Sequence, residues 1–186
     1  MIRYQITDRR LAGGIEPLVR SISRNLMDGI DLVQVREKDL DVRELSALVR
    51  RIVALPNPHG TRILVNTRAD VAIACGAHGV HLPSAGLPPE RIRKIAPPDF
   101  VIGVSCHSEA ELREAEEGHA DFAVLGPVFL SQSLKSGQSP LGLNILEKLA
   151  AGSRIPVLAL GGVSQKNASL CLRAGAAGVA GISMFQ

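Results

Sequence analysis

Ile155-Pro-Val-Leu-Ala-Leu-Gly-Gly162, continued by Val163-Ser164 and a helix-like run that stops at Gly175, is the stretch from which the fold can be read. An apolar run of strand length passes into paired glycines, with a serine where a helix N-cap would stand. That order describes a buried strand whose following turn offers backbone N–H groups to an anion at a helix start. A second apolar run, Gly178 to Ile182, follows at once. A Gly-Gly pair also serves simply to turn a strand into a helix, and the stretch by itself leaves both uses open.

Working outward, further β-branched or aliphatic runs occur at Tyr4–Thr7, Leu32–Arg36, Arg62–Asn66, Gly79–Leu82, Val101–Ser105 and Phe122–Gly126, which with Pro156–Leu160 and Gly178–Ile182 make eight. Between them lie segments with helical apolar spacing, such as Leu45, Leu48, Val49, Ile52 and Val53, or Leu143, Ile145, Leu146 and Leu149. Strand and helix in strict alternation predict a parallel sheet, and eight strands close it into a (β/α)8 TIM barrel. A faint repeat agrees: Gly29-Ile-Asp-Leu-Val, Gly76-Ala-His-Gly-Val, Gly118-His-Ala-Asp-Phe and Gly175-Ala-Ala-Gly-Val each set a helix-ending glycine before an even-numbered strand. In this frame the opening stretch is a phosphate cup between the last two strands, so the expected ligand is a phosphorylated small molecule. Little chain follows the eighth strand, so the eighth helix is expected to be short or absent. The apolar flank this leaves would be covered by a second subunit, as a homodimer, or by a tilted neighbour.

With 186 residues, 46% of them apolar, the chain is expected to be a single barrel domain over residues 1–186. No run of about 18 uncharged apolar residues occurs and the start is already strand-like, which predicts a cytoplasmic protein without membrane contact. Cys75, Cys106 and Cys171 are far apart and lack metal-site spacing, so they are read as packing residues. The net charge of +3 is spread among acids and only 3% of residues are aromatic, which gives nucleic-acid binding little support.

In Val33-Gln34-Val35-Arg36-Glu37-Lys38 a period of two puts Gln34, Arg36 and Lys38 on one face and the valines on the other. Valines suit the helix-covered outside, so the polar trio should face the barrel mouth. Two cations buried there need an anion, of which a phosphate or diphosphate is the natural choice, or carboxylates from other strands. Asn66 and Thr67 end the third strand, His81 lies in the fourth, and Ser105 to His107 end the fifth, all at the face that carries barrel active sites. His81 by itself reads as a satisfied core histidine and Cys106 as inert. Arg36, Lys38, Ser105 and His107 are the candidates for chemistry. The long loop Gly126 to Gly137 carries Ser131, Ser133 and Lys135, which either close over a phosphate near Gly161 and Gly162 or belong to a surface loop.

Taken together, the segments YQITD, VQVREK, VNTRAD, GVHL, IGVSCH, ADFAVLGPVF, IPVLALGGV and AGAAGVAGIS resemble the thiamine phosphate synthase and TenI superfamily over essentially the whole chain. The resemblance implies a barrel, usually dimeric, that handles thiazole phosphate; synthases join it to hydroxymethylpyrimidine diphosphate with release of diphosphate. It implies that Gln34, Arg36, Lys38 and Asn66 hold the pyrimidine diphosphate, that Ser105 lies near the reacting pyrimidine, and that Gly161, Gly162, Ile182 and Ser183 form the thiazole-phosphate cup. Synthases hold Mg²⁺ with two aspartates, at positions that read Thr67 and Gly86 here, and their T-x-T-K loop reads Ser131-Gln-Ser133-Leu134 with Lys135 displaced by one. The wording His81-Leu-Pro-Ser84 is similar to the TenI branch, which isomerises a thiazole carboxylate phosphate tautomer and needs a proton donor and acceptor rather than a metal. TenI enzymes can carry a histidine where this chain has Pro127. The expectation is therefore a TenI-like, metal-independent protein with no cofactor, or a divergent synthase for which Mg²⁺ would enter, or a non-catalytic binder of thiazole or thiamine phosphate.

Overall fold

The computed structural model of the chain describes residues 1–130 and 139–185. Its eight strands are β1 (Ile2–Ile6), β2 (Leu32–Val35), β3 (Arg62–Asn66), β4 (Gly79–Leu82), β5 (Val101–Cys106), β6 (Phe122–Leu125), β7 (Val157–Ala159) and β8 (Gly178–Gly181). All pair in parallel with their sequence neighbours, and β1 closes on β8 through Tyr4 opposite Ala180. The helices are α1 (Arg9–Ala12) and α2 (Ile15–Met27) after β1, then α3 (Val42–Val53), α4 (Ala69–Ala74), α5 (Pro89–Arg93), α6 (Glu109–Glu117), α7 (Gly142–Gly152) and α8 (Ala168–Arg173), one after each of β2 to β7. No helix among the described residues is long and apolar enough to cross a membrane.

Period-two alternation divides the core in two. Tyr4, Leu32, Leu64, Phe122 and Leu158 fill the barrel interior, while Val33, Ile63, Val80, Ile102 and Leu125 join the helices in a larger outer layer. The Phe122 ring has room because the facing residue on β5 is Gly103; a β-carbon there would overlap the ring. Three helix-ending glycines of the repeat, Gly29, Gly76 and Gly175, adopt left-handed φ of 70°, 69° and 83°. At the third member of the repeat that geometry passes to His119, at φ 62°.

Three expectations are corrected. The helix after β7 starts at Ala168, not at Ser164; Ser164 instead lies in the turn before it, and its carbonyl accepts from Ala168 N. Lys38 is exposed and Arg36 half-buried, because β2 ends at Val35 and the chain then turns, so the pair is not a buried one. After β8 the described chain forms only a 3-10 turn, Ser183–Phe185, with Met184 and Phe185 packed on the outer apolar layer, and the outward face of β1 beside it is polar rather than apolar, carrying Arg3 and the buried Gln5 and Thr7.

Candidate functional site

The C-terminal ends of the strands bring the polar residues together at one mouth. Arg36 follows β2 with its main-chain N–H donating to Thr7 Oγ1 at 2.8 Å, and Thr7 in turn donates to Glu37 Oε1 at 2.6 Å. The Glu37 side chain is 2% exposed and also accepts from Arg9, through its main-chain N–H at 3.1 Å and its guanidinium at 3.2 Å. Arg9 forks onto Asp39 at 2.6 and 2.7 Å and holds that carboxyl well below the usual carboxylate range. Glu37 and Asp39 are thus claimed by Arg9 and Arg10, while Asp8 caps α1. The Arg36 guanidinium has no hydrogen bond or ion pair among the described residues, and Arg36 lines a 220 Å³ cavity together with Asp8, Arg9, Arg10, Glu37, Lys38 and Asp39. Of the two fates open to Arg36 from the sequence, pairing with carboxylates or meeting an anion, the arrangement leaves room for the second.

Beneath Arg36 lies a buried polar chain. Gln34 Nε2 donates to Tyr4 Oη at 2.9 Å, Tyr4 Oη lies 3.2 Å from His81 Nδ1, and His81 Nε2 lies 2.9 Å from Ser105 Oγ. With Gln34 donating to the phenol, the phenol hydrogen goes to His81 Nδ1, which places the imidazole hydrogen on Nε2 and makes His81 a donor to Ser105. A nucleophilic serine needs the opposite tautomer, with a bare Nε2 to take its proton. Burial, followed by the charge of Arg36, pushes the His81 pKa down to about 3, and burial raises that of Tyr4. The chain is therefore neutral, and it leaves the Ser105 hydroxyl hydrogen to point at something in the mouth.

At β3 the Asn66 amide donates to Thr67 Oγ1 at 3.0 Å, and Thr67 has φ 65°, a left-handed backbone that β-branched residues resist. At the end of β5, His107 Nδ1 meets Gly126 O at 2.5 Å, so Nδ1 carries the hydrogen and Nε2 is left for exchange. Cys106 is inert, its thiol pushed up to about 12 by burial.

The turn expected to cup a phosphate lies between β7 and β8. Gly161 and Gly162 have φ of 92° and 64°, and Asn167 pins their turn: its Nδ2 donates to Gly162 O at 2.9 Å and its Oδ1 accepts from Ser164 N at 2.7 Å. The N–H groups of Gly161, Gly162, Ile182 and Ser183 meet no acceptor among the described residues. Since β7 and β8 are neighbours, all four emerge at the same end of the barrel. Packing imposes the glycines as well, because a β-carbon on Gly161 would come within 2.5 Å of Pro127 and one on Gly162 within 2.8 Å of Phe129 Cβ. Ser131, Ser133 and Lys135 lie outside the described residues. A 350 Å³ cleft between the β4–α5 loop and α6 is rimmed by Glu90, Glu111, Glu114 and Glu117, a lining that disfavours anions.

The sequence reading passed over Tyr4, Glu37 and Asn167. Asn167 had a local signal, a Ser-x-x-Asn spacing after the glycines; the other two depend on contacts between strands.

A family model described as thiamine monophosphate synthase matches residues 3–185. The chain belongs to that family. It is 40% identical over 182 residues to an Aquifex aeolicus protein provisionally named thiamine-phosphate synthase 2, covering 98% of this chain and 96% of the relative. A Roseiflexus thiamine-phosphate synthase is 37% identical, covering 98% of this chain and 77% of its own. The solved thiamine phosphate pyrophosphorylase of Pyrococcus furiosus superposes with a TM-score of 0.85 at 35% identity, covering 98% of this chain and 85% of that one. Within this family the Mg²⁺ implied by the synthase resemblance fits poorly here. Position 67 offers a hydroxyl and position 86 no side chain, and among the described residues no three His, Cys, Asp or Glu side chains come together.

Proposed function

We propose that this chain binds thiazole phosphate at the barrel mouth in thiamine synthesis and acts on it without a metal, as a TenI-like thiazole tautomerase. The reading is carried by the four N–H groups at residues 161–162 and 182–183, unpaired among the described residues, which would form an anion cup that needs no cation. The lack of a carboxylate at positions 67 and 86 supports it. Tautomerisation moves a proton between ligand atoms, and His107 is the group suited to that, since Nδ1 is tied to Gly126 O and Nε2 is left for the proton. It also neighbours Pro127, where TenI enzymes can carry a histidine. His81 is unsuited, because both nitrogens are engaged and its pKa lies near 3.

A second reading, a divergent synthase, is favoured by the Arg36 guanidinium, which has no hydrogen bond or ion pair among the described residues, and by the names of the relatives. There Arg36 and Lys38 would take the charge of a diphosphate leaving group.

One set of assays separates them. Thiazole phosphate should give heat in a calorimetric titration, and thiazole carboxylate phosphate should convert to its aromatic form in the presence of a chelator. His107→Ala should slow that conversion about a hundredfold. Mg²⁺-dependent formation of thiamine phosphate from the two synthase substrates, with no tautomer conversion, would replace the first reading by the second. Binding without either turnover would leave a non-catalytic binder.

A further inference from the structure

Gln5 is out of place. It is 0% exposed and points to the outside of the barrel wall, the face where β2, β3 and β4 present Val33, Val35, Ile63, Val65 and Val80 to their helices. A buried amide is tolerated only when its donors and acceptor are engaged. Its Oε1 accepts from Asn25 Nδ2 of α2 at 3.0 Å, and its Nε2 donates to the main-chain carbonyl of Phe185 at 3.4 Å. Asn25 Nδ2 donates to the same carbonyl at 2.6 Å. Two side-chain amides from different elements thus converge on one backbone oxygen, and each also touches the other.

That oxygen belongs to the 3-10 turn that follows β8. The turn begins at Ser183, and Phe185 N donates back to Ile182 O at 3.4 Å. Ile182 and Ser183 supply two of the four open N–H groups of the cup. Gln5 also stands opposite Gly181 in the β1–β8 pairing, so the amides bear on the chain just past that point. If the turn leaves, the Gln5 and Asn25 donors lose an acceptor in a place that water reaches poorly. If the amides are lost, the Phe185 carbonyl loses both of its side-chain donors.

We infer that Gln5 and Asn25 form a clasp on the outer barrel wall that positions the Ser183–Phe185 turn, so that a contact outside the barrel sets phosphate affinity inside its mouth. The inference rests on the reading of residues 161–162 and 182–183 as a phosphate cup. The clasp residues touch no ligand and act only through the turn. A phosphorylated ligand should feel the clasp, and an otherwise identical ligand without phosphate should not.

The test titrates thiazole phosphate and the unphosphorylated thiazole alcohol into the unaltered chain, Asn25→Leu and Asn25→Asp, with amide hydrogen exchange followed at Met184 and Phe185. Leucine keeps the volume, and aspartate keeps an acceptor but cannot donate to Phe185 O. Both variants should weaken thiazole phosphate five- to tenfold, about 1 to 1.4 kcal/mol, leave the alcohol unchanged, and speed exchange at Met184 and Phe185 before ligand is added. Equal phosphate affinity in a folded Asn25→Leu protein, or equal weakening of both ligands, overturns the clasp while the cup stands. A chain that exchanges as expected but binds no phosphate ligand overturns the cup, and with it the role given to the clasp.

Discussion

Thr67 shows most directly how a residue choice and a backbone demand can disagree. Its φ of 65° follows a strand end whose direction is fixed by Thr67 N donating to His81 O at 2.8 Å, so the strain is imposed from across the sheet. A left-handed residue with a β-carbon is disfavoured by about 1 to 2 kcal/mol, and least so for asparagine and aspartate. Thr67→Asn should therefore stabilise the chain by about 1 kcal/mol, seen as a higher urea midpoint with unchanged slope. An unchanged or lower midpoint would mean that the threonine hydroxyl, which accepts from Asn66, is worth more than the strain. Tyr4 marks the limit of reading single residues. It stands in an ordinary-looking strand, and only closure of the barrel brings its hydroxyl to His81, 77 positions away.

At the scale of elements, the strands were legible because each is a short apolar run bounded by glycine or polar residues, and a parallel sheet covered by helices demands such runs. The start of α8 was not. Ser164 has the chemistry of an N-cap, yet its main-chain N–H is taken by Asn167, and helical geometry begins only at Ala168. That exchange gives the Gly161–Gly162 turn its rigidity, since one asparagine side chain holds both Gly162 O and Ser164 N. Asn167→Ala removes both bonds and should destabilise the chain by about 1 to 2 kcal/mol. It should weaken thiazole phosphate several-fold more than it weakens a ligand without phosphate. Loss of stability with unchanged phosphate affinity would show that the turn holds its shape through packing on Pro127 and Phe129. The flank beside β8 was misread for a similar reason: the expectation looked only at the missing eighth helix, and only the contacts of Gln5 with Asn25 of α2 and with Phe185 show why the outward face of β1 is polar.

Across the whole molecule, the neutral chain from Gln34 to Ser105 ties barrel stability to pH. Asp39, Asp70, Glu16 and Glu109 are held below their usual range by arginine or lysine partners, so any stability they lend is lost only as pH falls through and below the ordinary carboxylate range. His81 acts earlier. Its folded pKa of about 3 lies below the ordinary 6.5 of an unfolded histidine, so the unfolded chain binds a proton that the folded chain refuses. Stability is therefore lost from pH 6.5 downward, in a window where the carboxylates are still ionised in both states. One proton corresponds to a slope near 1.4 kcal/mol per pH unit, which makes the loss about 2 kcal/mol between pH 7 and pH 5 from His81 alone. His78, also lowered by partial burial, adds in the same direction. Urea unfolding of the unaltered chain at pH 7, 6 and 5 should follow that fall, and His81→Gln, which can still both donate and accept, should flatten most of it while being less stable at pH 7. A fall of equal size in the His81→Gln protein would mean that the imidazole is protonated in the folded barrel, and the assignment of the Tyr4 hydroxyl as a donor to His81 Nδ1 would fall with it.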